Sequence, residues 1–588
     1  MKLSILYKLR GLLKNVGDLL ANTFKRRVLV EGGTYQNHVC VVDELNSLNN
    51  INVLDDTTLV MIPSGTKAGK IFSVVPKEVI DNTELITNGD FNTDINGWTN
   101  GNGFSWEAGE AKKIAGSSHD YLTQNILTVG KTYIFTIDVR GTGSNSFIQI
   151  YSGGSHFLYN TDGTYTNTFV ATDDKFKVRG VANSTSLFID NVSVKEVTTP
   201  SRDLGFSRST TATRVNESGL IETVAINTPR LDFTGGGCGK ALFEPQRTNL
   251  LEFSDDYTQS YWGKSDYTAI ANSIISPSGN VDASLIQEDT YTSSIPTLAR
   301  NVSLITGTYT YSFYTKKSVG RYLGIVFGSG AERVRTNFDF DTETFKTKLL
   351  TGTTTAELSF KKIGDFYRII VTATFPSTIS ASAALLLLET DTYPFFALQD
   401  SANRSFYLWR QVVTKGSFVT SPIYTSGSTV TRAKDESITT GLSDKINSEE
   451  GVFMVGIQAL ADDGTNRFIS LSDGTTGDNI SIRLTSSSNT VEVRVRVGGT
   501  FSTVMSYTVS DITQINKVAI RYREDDFSLW VNGAVRDTDN IGDTFAANKL
   551  NQLSFDNGGA ASSFYGKLNE LVLADYLTDT QMAELTTL

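Results

Sequence analysis

Four side chains in the first third of the sequence have the types and spacing of a surface that holds a ring-shaped ligand: Trp106, Tyr151, His156 and Tyr159. Aromatic rings stack on the apolar face of a pyranose, and nearby polar groups fix its hydroxyls. Tyr151 and His156 flank the turn sequence SGGS, which favours an exposed position. These four are therefore candidate glycan-binding residues, with packing in a core as the alternative for Trp106.

The acidic sequence NFDFDTETF is a second candidate, because Asp339, Asp341 and Glu343 recur at every second position. In a strand this spacing places three carboxylates on one face. Such a group suits the acid pair of a glycoside hydrolase, whose carboxylates stand about 5–10 Å apart, or a Ca²⁺ site. A solvated strand is the simpler interpretation. We expect no enzyme activity and no cofactor, with calcium as the one candidate ion.

Charge and the scarcity of two residue types argue against other chemistries. A net charge of −11 and a pI near 5.0 repel nucleic acid. The histidines, at positions 38, 119 and 156, lie at no metal-ligand spacing, which disfavours zinc and serine–histidine catalysis. Cys40 and Cys238 match neither a metal knuckle nor a disulfide framework. Both cysteines are therefore expected to be free thiols.

The elements that must position these residues are short strands. A chain of 588 residues is too long for one core, so several domains are expected. A charged fraction of 20%, 49 glycines and abundant Ser, Thr and Asn are typical of strands joined by polar turns. The sequence predicts a mainly β protein with three β-sandwich domains after an N-terminal helix and a small β region.

Residues 1–27 are predicted to form a basic amphipathic helix. Apolar residues recur there every three or four positions and share one face, with the docking candidates Leu6, Leu9, Leu13 and Leu20. Seven basic residues against one acidic residue give a charge of +6 and interrupt every apolar run, so neither a signal peptide nor a transmembrane span is expected. The helix is predicted to dock on its own protein or on a partner subunit, with a membrane surface as the alternative. Residues 28–83 are predicted to be a small β anchor region that needs neighbours or copies of itself.

Two stretches of the sequence share one pattern of residue types. LITNGDFNTDINGWT at 85–99 and LLEFSDDYTQSYWGK at 250–264 each run from apolar residues through an acidic turn to a tryptophan, Trp98 or Trp262. Each is followed by a central strand and a closing strand, in the same order. One repeated β-sandwich plan explains this order, and it makes both tryptophans packing residues.

The two copies are predicted to span 84–198 and, with insertions, 249–435. The first closes with SLFIDNVSVKEV, in which the apolar alternation breaks at Asp190–Asn191, so a β-bulge is expected there. The second closes with SFYLWRQVVTKGSFVTSP, where Trp409 belongs to the repeated framework. Trp409 is therefore also predicted to be a packing residue.

Both copies resemble the jelly-roll carbohydrate-binding modules, whose opening NGDF…W and closing IDNVSV are matched closely in the first copy and loosely in the second. Residues 436–588 resemble the concanavalin A-like or LamG-type sandwich through VAIRYREDDFSLWVNG and GKLNELVLADYLTDTQMAEL. These resemblances imply lectin-like folds and sugar binding. The calcium ligands of the LamG family form no obvious cluster in this sequence.

Residues 199–248 are predicted to be a connector whose arginines, at positions 208, 214, 230 and 247, are held by Glu217, Asp232 or Glu244. Across 206–251, FSRSTTATRVNESGLIETVAINTPRLDF and the later ALFEPQRTNLLEFS resemble the signature of tail, fibre and related virion proteins of tailed bacteriophages and prophages.

This resemblance implies a virion protein, a fibre or appendage attached through its N-terminus to capsid, portal or tail proteins. Such a fibre is commonly a homotrimer, and its lectin-like modules would bind host cell-surface polysaccharide. A purely structural fibre or capsid decoration is the alternative. A polysaccharide depolymerase is less favoured, because the sequence lacks the short period of a stacked parallel β-helix.

Overall fold

A computed structural model of the chain describes residues 53, 56–61, 63, 72–74, 79–80, 83–101, 103–113, 121–142, 146–152, 155–182, 187–198, 202–289, 296–388 and 403–588. The predicted N-terminal helix with Leu6, Leu9, Leu13 and Leu20 lies outside these residues, as do His38, Cys40 and His119. Within the described ranges, no helix has the length and apolar character needed to cross a membrane.

The described residues divide into two compact units, one within 74–202 and the other formed by 53–73 and 203–588. Both units are mainly β, as the sequence predicted. The earliest described strands are β1 (Thr57–Met61), β2 (Phe72–Val74) and β3 (Val79–Ile80).

The first unit is a β-sandwich of two antiparallel sheets. Besides β3, its strands are β4 (Thr99–Asn100), β5 (Phe104–Glu107), β6 (Glu110–Lys113), β7 (Tyr121–Asn125), β8 (Thr132–Arg140), β9 (Ser146–Ser152), β10 (Ser155–Tyr159), β11 (Gly163–Val170), β12 (Lys175–Ala182) and β13 (Phe188–Thr198). One sheet has the order β11-β8-β13-β6-β5, with β3 also on β13, and the other has the order β10-β9-β12-β7-β4.

Side chains alternate between the core and the outer faces of this sandwich. Phe135 and Ile137 on β8 are fully buried, and they share one core cluster with Ile150 and Val178 of the facing sheet. Residues between them, such as Thr136, lie on the outer face. The alternation predicted for this strand is therefore confirmed, and it determines which residues a ligand can reach.

Six short strands follow the first sandwich: β14 (Arg202–Asp203), β15 (Ala212–Val215), β16 (Ile221–Val224), β17 (Arg230–Asp232), β18 (Lys240–Phe243) and β19 (Arg247–Asn249). β15 and β16 form a hairpin, and β17 pairs with β18. The segment predicted as a connector thus contains regular secondary structure.

The second sandwich is larger. Its strands are β20 (Gly263–Ser265), β21 (Tyr267–Ile275), β22 (Val281–Glu288), β23 (Thr297–Leu304), β24 (Gly307–Val319), β25 (Tyr322–Gly328), β26 (Arg333–Asp339), β27 (Thr344–Thr351), β28 (Thr355–Ile363), β29 (Phe366–Phe375), β30 (Ile379–Leu388) and β31 (Ser405–Lys415). The sheets have the orders β20-β23-β30-β25-β26-β27 and β21-β22-β31-β24-β29-β28.

The two sandwiches share a β-bulge that is hydrogen-bonded to the opening segment, and this contact explains the repeated opening sequence. The closing strands β13 and β31 both carry a bulge, at Asn191 and at Arg410, and both residues have φ of 49°. The residue after each bulge position donates its backbone N–H to the opening segment, Val192 to Gly89 and Gln411 to Ser254, both at 2.9 Å. The opening sequence therefore caps the bulge in each copy, and the bulge predicted at Asp190–Asn191 is confirmed.

The tryptophans of both copies pack as predicted. The ring centroids of Trp98 and Phe91 are 5.8 Å apart in the first copy, and those of Trp262 and Tyr257 are 5.3 Å apart in the second. Trp409 is fully buried. Trp98 and Trp262 belong to the two sandwich cores, Trp409 packs in a separate buried cluster with Tyr314, and none of the three rings is accessible to a ligand.

The third sandwich is C-terminal. β32 (Val430–Arg432) precedes it and pairs with β19. The elements of the third sandwich are β33 (Ile438–Thr440), β34 (Gly451–Ala459), β35 (Arg467–Ser472), β36 (Asn479–Leu484), β37 (Thr490–Val497), β38 (Thr500–Thr508), β39 (Asn516–Arg523), β40 (Asp526–Val531), β41 (Ala534–Asp539), β42 (Gln552–Ser554), β43 (Gly566–Ala574) and the helix α1 (Asp579–Thr586). One sheet has the order β33-β42-β35-β36-β37-β38, and the facing sheet contains the run β1-β43-β34-β39-β40-β41.

The C-terminal sheet takes strands from two earlier parts of the sequence. β1 pairs along β43, from Thr57 opposite Ala574 to Met61 opposite Leu571, and its apolar side chains are buried there. β18 also pairs with β43. Part of the predicted anchor region thus finds the neighbour it needs within its own chain, because an isolated strand could not bury these residues.

A buried ion cluster ties the connector to the segment after the second sandwich. Arg208 pairs with Asp435 at 2.9 Å, Arg230 pairs with Glu244 at 2.6 Å and with Asp435, and Arg432 pairs with Glu244 at 2.7 Å. All five side chains are almost completely buried. Burial alone would raise the pKa of Glu244, but Arg432 and Arg230 outweigh it and hold that pKa below its usual range. Burial lowers the pKa of Arg432 to about 10.

Only one of the predicted arginine partners is present in this arrangement. Arg230 pairs with Glu244 as expected, whereas Arg208 uses Asp435, which lies 227 residues further along the chain. Arg214 pairs with Glu222 at 2.7 Å. Arg247 lies over the ring of Phe418 and donates to the backbone oxygen of Gln246. The cluster depends on long-range contacts that sequence spacing does not show.

Cys238 forms a disulfide, so the prediction of free thiols is wrong for this residue. Cys238 lies exposed in the glycine-rich turn between β17 and β18. Two cysteines far apart in sequence show no framework pattern, and only the fold reveals that one of them is bonded.

Candidate functional site

The outer face of the sheet β10-β9-β12-β7-β4 carries an aromatic and polar group of side chains. Ile148 and Ile150 of β9 point into the core, so Gln149 and Tyr151 point outward. The same alternation directs Arg179 of β12 outward. Because Arg179 is paired in register with Gln149 on one side and with Tyr121 of β7 on the other, these side chains share one face.

Hydrogen bonds hold this group in one arrangement. The Tyr151 hydroxyl donates to Gln149 Oε1 at 3.0 Å and accepts from Arg179 Nη1 at 3.1 Å. Arg179 Nη1 also donates to Gln149 Oε1 at 3.0 Å. The three side chains form a closed triangle on a rigid sheet, which lowers the entropy lost when a ligand binds.

Two aromatic rings stand beside the triangle. Tyr121 meets Tyr151 edge to face, with ring centroids 5.7 Å apart and planes at 81°. The Arg179 guanidinium carbon lies 6.0 Å from the Tyr151 ring centre. Half-buried tyrosine rings, amide groups and a guanidinium are the group types that contact the faces and hydroxyls of a sugar. We call Tyr121, Gln149, Tyr151 and Arg179 the tyrosine face.

The surroundings of the tyrosine face are polar with one apolar edge. Lys177, opposite Tyr151 in register, pairs with Asp173 at 2.7 Å. Leu158 of the edge strand β10 is 51% exposed and stands opposite Gln149. The His156 backbone pairs with Tyr151, whereas its side chain lies outside the described residues. The face is therefore continued toward β10 by an accessible apolar side chain.

The structure separates the other two predicted glycan-binding residues from Tyr151. Trp106 lies on β5, an edge strand of the opposite sheet, where it is 44% exposed and donates through Nε1 to the Phe91 backbone oxygen at 2.7 Å. Tyr159 points into the core, stacks on Tyr165 at 4.0 Å and is 7% exposed. Burial raises the pKa of its hydroxyl. Tyr159 is therefore a packing residue, and Trp106 belongs to a different surface.

Tyr121, Gln149 and Arg179 were not among the predicted site residues. Each lies in a short alternating sequence, YLTQN, FIQIY or KFKVRG, whose apolar positions are buried. That alternation alone identifies them as outward-facing. Their convergence depends on the neighbouring order β9-β12-β7, which the sequence does not show because β7 and β12 are about 50 residues apart.

The three carboxylates of NFDFDTETF do not share one strand face. β26 ends at Asp339, and Asp341 and Glu343 lie in the following turn. Asp339 is buried and binds Arg321 at 2.8 Å, which holds its pKa well below the usual range. Asp341 pairs with Lys317, and Glu343 pairs with Lys362 at 2.7 Å. Each carboxylate is thus neutralised by its own cation.

Within the part of the chain that the structure describes, no group of three His, Cys, Asp or Glu side chains could hold a metal ion. In NFDFDTETF, Asp339 is not free to bind a metal ion, because the Arg321 guanidinium donates to both of its carboxylate oxygens. The distance from Arg321 Nε to Asp339 Oδ1 is 2.9 Å.

No protein-family model matches the chain, and no curated protein matches it either. Among solved structures, the carbohydrate-binding module CBM40 of Ruminococcus gnavus IT-sialidase, bound to α2,3-sialyllactose, is 17% identical, with a TM-score of 0.22 over 25% of this chain and 91% of its own. Mouse laminin α1 domains LG4-5 are 11% identical, with a TM-score of 0.18 over 48% of this chain and 88% of their own. Trypanosoma rangeli sialidase is 7% identical, with a TM-score of 0.22 over 90% of this chain and 93% of its own. At these values the matches assign no function, and the sandwich architecture rests on the sheets described above.

Proposed function

We propose that the protein is a non-catalytic glycan-binding protein and that the tyrosine face of the first sandwich is its sugar site. The observation that carries the proposal is the hydrogen-bonded triangle of Gln149, Tyr151 and Arg179 beside the Tyr121 ring. This arrangement offers a ring for stacking and a guanidinium for hydroxyl or carboxylate groups on one rigid surface.

A flat sheet face of this kind binds weakly, so adhesion needs several copies. Linked weak sites gain roughly 10²–10⁴ in avidity when several engage at once. We therefore propose a homo-oligomeric fibre or appendage of a bacteriophage virion that binds host cell-surface polysaccharide. The signature resemblance across 206–251 and the predicted docking helix at 1–27 support this role. The disulfide at Cys238 supports a location outside the reducing cytosol.

Binding of the full-length protein to an array of bacterial surface polysaccharides tests the sugar site. Tyr151→Ala and Arg179→Ala are each expected to weaken binding about tenfold, since each removes a contact worth about 1.4 kcal/mol. Lys112→Ala is the matched control, because this residue lies on the opposite sheet and pairs with Glu107. Trp106→Ala is expected to bind like the parent protein.

Two results would contradict the sugar site: equal binding by the Tyr151→Ala and parent proteins, or lost binding in Trp106→Ala alone. Release of reducing ends from the bound polysaccharide would show a depolymerase instead. Immunogold labelling of purified virions tests the wider role. Labels at the particle surface are expected, and virions free of the protein would refute the fibre proposal.

A further inference from the structure

A polar groove lies between the second and third sandwiches, both of which belong to the second compact unit. Its volume is about 820 Å³. One wall is the outer face of β28, β29 and β24, and the other includes Gln458, Asp462 and Thr513. Binding pockets for small ligands span about 300–1,000 Å³ and occur often between domains. The groove is thus large enough for part of an oligosaccharide.

Threonine hydroxyls cover the first wall. Thr355, Thr374 and Thr308 stand side by side in register on β28, β29 and β24. Thr308 Oγ1 and Thr374 Oγ1 are 2.8 Å apart. Thr372 lies next to Glu357 in the following row. A row of hydroxyls with a carboxylate supplies donors and acceptors of the kind that bind sugar hydroxyls.

Positive charge gathers at the end of the groove that holds Lys361. Lys361 follows Glu357 by four residues on β28, so their Cα atoms are about 13 Å apart along the strand. Lys567 of β43 lines the same groove and binds Asp232 at 2.7 Å. Arg368 stands opposite Lys361 in register. Arg368 and Lys567 therefore both repel Lys361, whereas Asp232, the carboxylate that attracts it, is already paired with Lys567.

Lys361 has no carboxylate partner among the described residues. The Lys361 side chain is exposed. The walls of the groove nevertheless remove part of its hydration, which lowers its pKa, and repulsion from Arg368 and Lys567 lowers this pKa further. The pKa of Lys240, beside Asp232 on β18, is lowered by burial and by Lys567. An added anion would relieve this repulsion.

The carboxylates on the opposite wall already have partners. Asp463 pairs with Arg467 and accepts from Ser417 Oγ at 2.9 Å. Asp462 accepts the Asn489 backbone N–H at 3.0 Å and a hydrogen bond from Ser488. They do not pair with Lys361, so an acidic ligand in the groove would meet a cation without a carboxylate partner.

We propose that this groove binds an acidic saccharide, with its carboxylate on Lys361 and its hydroxyls on the threonine wall and Glu357. Uncharged sugars lack the group that pairs with Lys361, and a bare anion lacks the hydroxyls that match the threonines. The site is independent of the tyrosine face, because its residues come from the second and third sandwiches alone.

Calorimetric titration of the full-length protein with oligogalacturonate tests this proposal. The protein carries Tyr151→Ala and Arg179→Ala, so that failure of the groove and failure of the tyrosine face remain distinguishable. Lys361→Ala is expected to raise the dissociation constant about tenfold or more, since a hydrogen bond to a charged group is lost. Lys362→Ala is the matched control: this lysine is the next residue on β28, and it pairs with Glu343 at 2.7 Å. Its affinity should equal that of the parent.

Maltohexaose and inorganic sulfate separate saccharide recognition from simple charge attraction. Both are expected to bind at least tenfold more weakly than oligogalacturonate, whose affinity should fall as salt rises. Thermal unfolding of each variant confirms that the fold is intact. Unchanged affinity in Lys361→Ala, equal loss in Lys362→Ala, or sulfate or maltohexaose binding as tightly as oligogalacturonate would overturn the proposal.

Discussion

The first and second sandwiches share one plan but use the same surface positions differently. Just before the bulge, the first pairs Asp138 with Asp190 across β8 and β13, where the second pairs Tyr314 with Trp409 across β24 and β31. Tyr314 and Trp409 are buried, 5.1 Å apart, and form one cluster with Ile221 of the connector. Carboxylates leave this face of the first sandwich polar, whereas aromatic residues let the connector cover it in the second.

The difference shows what a repeated sandwich can become. The core-facing residues and the capped bulge keep the fold the same, while a few outward residues decide whether a sheet face meets solvent or protein. The first sandwich keeps this sheet face polar, and it carries the tyrosine face on its opposite sheet. The second has lost one open face to the connector and gains a groove against the third sandwich. New sites thus arise from the outer faces without change to the core.

The largest expected effect comes from breaking the ion cluster that ties the connector to the segment after the second sandwich. Glu244→Gln leaves three buried guanidiniums against the single carboxylate of Asp435. An uncompensated buried charge costs about 3–5 kcal/mol. Hydrogen exchange should report this loss as faster opening of β15 to β18. Exchange in β8 and β13 should not change, and similar acceleration in both regions would refute a local role.

A matched pair of variants tests the covered face directly. Trp409→Ala removes a buried ring and should destabilise the second sandwich by about 3 kcal/mol, the lower end of the range for Trp→Ala because the connector can partly close the gap. Asp190→Ala at the equivalent position should change stability by less than about 0.5 kcal/mol. Burial and the charges of Glu110 and Asp138 raise the pKa of Asp190, so its removal relieves repulsion. Urea unfolding measures both, and equal costs would show that the two faces do not differ.

More of the fold than of the candidate sites could be predicted from the sequence. Alternation and turns predicted the mainly β class, the repeat, the bulge at Asp190–Asn191 and the buried tryptophans, because each is a local consequence of side-chain period or backbone strain. Tyr151, chosen for its position beside a turn, points outward from the sheet, and its role in a sugar site stays a prediction. The domain boundaries stay predictions.

Features that join distant segments were missed for one physical reason. Asp435 reaches Arg208 across 227 residues, and Arg179 reaches Gln149 only because β12 lies beside β9. A sequence shows which way a side chain points in a strand, but strand order decides which side chains meet. Tyr159 illustrates the opposite error. Its aromatic type fits a sugar site, yet the alternation of β10 turns it into the core.

The smallest expected effect tests whether the bulge is a shared device. Asn191→Gly should leave stability unchanged, because glycine adopts the left-handed conformation at no steric cost. Asn191→Ala should cost about 1 kcal/mol more than Asn191→Gly, since alanine is strained there, whereas the exposed hydrogen bond to Asp138 is lost in both variants. Arg410→Gly should instead destabilise the second sandwich, because Arg410 also pairs with Asp255 at 3.1 Å and covers the Trp409 ring. Urea unfolding measures all three. A stabilised Arg410→Gly variant would mean that the ion pair with Asp255 and the contact with the Trp409 ring stabilise the fold by less than the backbone strain at Arg410 costs. The side chain at the second bulge would then add nothing to the stability of the second sandwich.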